Sequence, residues 1–70
     1  MSGRVVSIRA TYAFIKADSV KGDFFFSGSD CVEPMRLADF RVGTRVNFEP
    51  AVSSDGRGRA KEVRPEGWGK

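Results

Sequence analysis

The stretch from Thr11 to Phe26 restricts this chain more than any other. It reads as two strands, Thr11-Tyr12-Ala13-Phe14-Ile15-Lys16-Ala17 and Asp23-Phe24-Phe25-Phe26-Ser27, joined by the polar turn Asp18-Ser19-Val20-Lys21-Gly22. Successive side chains of a strand point to opposite faces. Tyr12, Phe14 and Lys16 therefore share one face of the first strand, and Ala13, Ile15 and Ala17 share the other. In the second strand Phe24 and Phe26 oppose Phe25 and Ser27. A small sheet buries one side only, and burying the side of Ile15, Phe24 and Phe26 leaves the smaller apolar surface outside. Tyr12, Phe14 and Phe25 then face outward beside Lys16. Clustered rings are unfavourable in water unless something covers them, and the bases of a single-stranded nucleic acid stack on such rings.

The rest of the chain continues the pattern. Gly3–Ala10 reads as a first strand with Val5 and Ile8 inward, an odd spacing that calls for a bulge. Ser27-Gly28-Ser29-Asp30 suits a single 3₁₀ turn. Cys31–Phe40 is the longest connection, with Val32, Leu37 and Phe40 as its anchors and Pro34 as a helix stop. Val42-Gly43-Thr44 turns into a fourth strand, Arg45–Val52, with Val46 and Phe48 inward. Ser53–Gly58 forms a hairpin loop containing Asp-Gly, and Arg59–Arg64 a fifth strand with Ala60 and Val63 inward. Pro65–Lys70 reads as a tail carrying the only Trp, Trp68. No segment has a helical apolar period, so the chain is all-β. We expect one domain over residues 1–66 and a short tail over 67–70.

Composition narrows the function classes. Seventy residues sit near the lower limit for a self-supporting core. One Cys and no His exclude an internal disulfide and disfavour a tetrahedral metal site. Without His, without a paired-carboxylate cleft and without a phosphate loop, no catalytic set can be assembled, and no cofactor is expected. No apolar run approaches the ~20 residues of a membrane helix, and no signal-peptide pattern opens the chain; we expect a cytoplasmic protein with no membrane partner. The net charge of +3 is unevenly spread. Arg4, Arg9 and Lys16 stand near the start without acids, and Arg57, Arg59, Lys61, Arg64 and Lys70 stand near the end against Asp55, Glu62 and Glu66. Such ends serve a polyanion if the fold brings them together.

Gly3-Arg4-Val5, Tyr12-Ala13-Phe14-Ile15, Asp23-Phe24-Phe25-Phe26, Val42-Gly43-Thr44-Arg45-Val46-Asn47-Phe48 and Gly58-Arg59-Ala60-Lys61-Glu62-Val63 follow one another in the order and rough spacing of the cold-shock domain. The chain resembles a divergent member from Gly3 to about Pro65. The resemblance implies a five-stranded antiparallel barrel of the OB type that stacks single-stranded RNA or DNA on its second and third strands. It maps the stacking rings onto Tyr12, Phe14 and Phe25. It also sets Asp23 near the binding face, where a carboxylate can accept a hydrogen bond from a base edge or cap its own strand. The chain departs from the family at several points. Ser7 stands where the family usually has a Trp, and Arg9 where it has an Asn. Ala10-Thr11 replaces Lys-Gly, Ala13 a Gly, Ser27 a His and Gly28 an aromatic. Met35 falls roughly where a further stacking aromatic often lies.

The leading expectation is a binder of single-stranded RNA or DNA with a reduced stacking surface, implied by the resemblance to act as an RNA chaperone or a modulator of transcription or translation in the stress response. Arg4, Arg9, Lys16, Arg57 and Arg59 are its candidate phosphate contacts, against a reading as solvated surface charge. Five such contacts would make binding steeply salt-dependent. The alternative is an OB-fold interaction module whose rings hold a protein partner or a second copy in a homodimer.

Overall fold

The alternating segments close into a barrel. A computed structural model describes residues 1–32 and 36–67. It contains β1 (Ser2–Ile8), β2 (Tyr12–Ala17), β3 (Asp23–Ser27), β4 (Arg45–Val52) and β5 (Gly58–Pro65). The closed order is β1-β2-β3-β5-β4, with β4 returning to β1. Five strands cannot alternate direction all the way round a cylinder, so one neighbouring pair must run parallel. That pair is β3 and β5, which meet at Phe25 and Arg59; the other four pairings are antiparallel. This is the all-β, OB-type barrel that the sequence leads one to expect. Pro34, Met35 and Trp68, the helix stop, the candidate stacking position and the tail residue, lie outside the described residues.

The inward set follows the alternation. Val5, Ala13, Ile15, Phe26, Val46, Ala60 and Val63 are fully buried, with Phe48 and Ala17 nearly so. Burying each large side chain contributes roughly 1.5–3 kcal/mol. Phe24 is half-buried and packs at 5.2 Å on Phe48, while Phe40, arriving from the long connection, meets Phe26 edge-on at 5.5 Å. Leu37 packs against the same core and Val32 donates its backbone N–H to the Val63 carbonyl at 3.0 Å, so all three expected anchors hold the connection down. The connection also contains a 3₁₀ turn at Leu37–Asp39 that carries no apolar period to announce it. Its Asp39 carboxylate accepts the Arg36 backbone N–H at 2.8 Å.

Two bulges explain why inward residues sometimes stand three apart. In β1 the register shifts between Val5 and Ser7, which returns Ile8 to the core side. In β5 Glu62 adopts a left-handed φ of 52° opposite a register shift in β4, which lets both Ala60 and Val63 face inward. Left-handed backbone is also needed in the β2–β3 turn, where Gly22 has φ 99°.

Some boundaries differ from the sequence reading. β1 stops at Ile8, and the chain turns through Arg9 to Thr11 because the Arg9 N–H donates to the Tyr12 carbonyl at 2.7 Å. β5 begins at Gly58 and runs through Pro65, which faces Val46, so Pro65 belongs to the barrel and not to a tail. The two basic ends do not pair with each other, because β4 lies between β1 and β5. Among the described residues no helix is long and apolar enough to cross a membrane.

Candidate nucleic-acid interface

The β2–β3 register assembles the outward rings. Tyr12 stands opposite Ser27, Phe14 opposite Phe25 and Lys16 opposite Asp23, while Ala13 and Ile15 face Phe26 and Phe24 on the inner side. Tyr12 is 40% exposed, and Phe14 and Phe25 are half-buried. Tyr12 and Phe14 meet edge to face, with centroids 5.5 Å apart and planes at 84°, the geometry that ring quadrupoles favour. These three rings, with Thr11, Ser27 and Arg57, line an open cavity of about 430 Å³. A planar ligand that enters it meets ring surface and the hydroxyl-bearing side chains of Thr11, Tyr12 and Ser27. Alternation already places Ser27 on the face of Phe25, and its pairing with Tyr12 brings it to the cavity. Thr11 precedes the strand, and no periodicity points to it.

The remaining candidates are distributed unevenly. Lys16 and Asp23 face each other two residues along from Phe14 and Phe25, about 7 Å away on an extended chain. Arg4 flanks Lys16 on β1 and Arg45 flanks Arg4 on β4, so an exposed row Arg45, Arg4, Lys16, Asp23 crosses the wall beside the rings. Arg45 donates to both Asp18 carboxylate oxygens, at 3.0 and 2.5 Å. That hydrogen bonding, with Arg45 and Arg4 as nearby charges, holds the Asp18 carboxyl below the usual carboxylate range. Arg9 is exposed in the turn before Tyr12. Arg57 reaches the cavity from the β4–β5 loop but lies 3.4 Å from Asp55. Asp55 accepts from the Ser53 hydroxyl and the Arg57 backbone N–H, which keep its carboxyl low and ionised.

Arg59 differs most from its sequence reading. It stands in the fifth strand as expected, but it is not a free cation. Its Nε and Nη2 donate to Asp30 at 3.1–3.2 Å, and its guanidinium carbon sits 5.4 Å from the Phe25 ring centroid. Asp30 is buried at 6% exposure and also accepts the Ser27 backbone N–H at 3.0 Å, so the carboxylate is satisfied from two sides. The sequence marks Asp30 only as a turn residue; its partner lies 29 positions away.

Beside it, burial and then the Asp30 charge push the Cys31 thiol up to about 11. Raising the pKa of an acid favours the folded state while the thiol is neutral. That contribution is complete below about pH 9, the unfolded value, and is lost as pH climbs through about 11. Thermal melts between pH 8 and 11 are expected to decline less steeply for Cys31→Ala than for the wild type; equal slopes would contradict the assignment.

No family model matches the chain, and no curated protein matches it either.

Proposed function

We propose that the protein binds single-stranded RNA or DNA with little sequence preference, stacking bases on Tyr12 and Phe14 beside Phe25. The observation that carries this reading is the open cavity walled by three outward aromatic rings on the β2–β3 sheet of an OB-type barrel. Every nucleobase has a face that can stack, and the Thr11 hydroxyl can donate or accept while that of Ser27 is bonded to Asp30 and Ser29, so the site favours planarity over base identity. The resemblance to cold-shock domains extends the reading to an RNA chaperone or a modulator of transcription or translation in the stress response, acting in the cytoplasm.

The charges modify the expectation. Arg4, Arg9 and Lys16 make no ion pair among the described residues, whereas Arg57 and Arg59 each hold a carboxylate. Three phosphate contacts on a single strand give a log–log salt slope of about −2, against about −3.5 for five. Titration of a labelled oligopyrimidine between low and moderate salt measures this slope. Absence of binding at low salt rejects the reading. Self-association that oligonucleotide leaves unchanged and Phe25→Ala abolishes would assign the rings to a protein interface instead.

A further inference from the structure

Arg59 enters the interface at the parallel contact between β3 and β5, directly beside Phe25. A cation within about 6 Å of a ring centroid is attracted to the ring face, and the guanidinium meets that condition at 5.4 Å. One edge of the guanidinium, Nε and Nη2, is held by Asp30. Asp30 is itself held by the Ser27 backbone N–H at 3.0 Å and the Ser27 hydroxyl at 3.3 Å, with the Lys61 ammonium 3.9 Å away. Two consequences follow. The carboxylate offsets the guanidinium charge locally, which leaves little field to draw a phosphate. A guanidinium gripped along one edge also has its position fixed before a ligand arrives, so less ordering is required on binding.

We propose that Asp30 is a positioning residue of the interface: it seats Arg59 beside Phe25 as a preformed platform on which a nucleobase of the single strand stacks, in place of a phosphate clamp. Guanidinium planes and aromatic rings are interchangeable supports for unstacked bases. The inference rests on the single-strand reading above and deepens it, because it assigns this part of the site to the base and not to the backbone. It also recovers stacking surface on a face where Ser7, Ser27 and Gly28 supply no rings.

The test titrates wild type, Arg59→Lys and Asp30→Asn with labelled heptathymidylate and with the same backbone made abasic, over a salt series. Thermal melts report that each variant is folded. Lysine keeps the charge beside Asp30 but has no plane. Arg59→Lys is expected to bind heptathymidylate about tenfold more weakly with an unchanged salt slope. Asp30→Asn, which frees the guanidinium charge but removes its seat, is expected to narrow the preference for heptathymidylate over the abasic strand, and Arg59→Lys to leave abasic binding unchanged. Wild-type affinity in Arg59→Lys overturns the inference. So does an Asp30→Asn protein that keeps the wild-type preference for heptathymidylate over the abasic strand. If Asp30→Asn does not fold, Arg59→Lys decides alone. A wild-type protein that binds neither strand overturns the single-strand reading and this inference with it.

Discussion

Phe14→Ala is expected to weaken binding of a single-stranded heptanucleotide by about ten- to a hundredfold. Phe14 stands at the centre of the outward face, between Tyr12 along the strand and Phe25 across it. Removing one stacking ring costs roughly 1–3 kcal/mol of binding, and here Tyr12 would also lose its edge-to-face neighbour. The ring is half-buried, so some stability is lost as well. Melting curves separate the two effects, because a folded Phe14→Ala protein at the assay temperature isolates the loss of affinity. Val52→Ala provides the comparison: Val52 is 75% exposed, lies at the end of β4 and should leave binding unchanged. Equal affinity in Phe14→Ala and wild type would remove the rings from the binding role.

Gly3→Ala is expected to destabilise the barrel by about 3 kcal/mol, at the upper end of what overpacking costs. A Cβ at position 3 would lie 2.7 Å from the Lys16 carbonyl oxygen and 2.7 Å from Ile15 Cγ2. Ile15 can shift a methyl, but the Lys16 carbonyl is backbone in the β1–β2 ladder, so relief requires the strands to separate. Domains of this size have only about 3–5 kcal/mol of stability. The melting temperature should therefore fall by about 15 °C or more, or the variant should be largely unfolded. Gly28→Ala, with nothing within 4 Å of the added carbon and no left-handed φ, should be nearly neutral. Urea denaturation of both variants measures the difference. A Gly3→Ala protein as stable as Gly28→Ala would mean that β1 and β2 do not approach this closely.

How far the interface could be read in advance depended on the distance over which each residue acts. Alternation places Tyr12, Phe14 and Phe25 on the outer face, and the register of β2 on β3 keeps them together because a short turn joins the two strands. Val46 and Phe48 point inward for the same local reason. Arg57 and Arg59 look alike in sequence, two arginines in a glycine-rich run, yet one lines the cavity and the other grips a buried carboxylate. Nothing local distinguishes them. The difference arises because Arg59 lies opposite Phe25, and that contact exists only after β5 closes against β3. Position 62 is a similar case, since its left-handed backbone answers a register shift in β4 and not any preference of Glu.

The chain's own pattern of residues determined which side chains are inside, where it turns, and which rings are left on the surface, because period-2 alternation and glycine act within a few residues. Closure of the barrel decided the rest. It set β4 between the two basic ends, joined Asp30 to Arg59 across 29 positions, and brought Arg57 to the rings. Contacts of that range depend on strand order and register around a cylinder, and no single stretch of sequence encodes either.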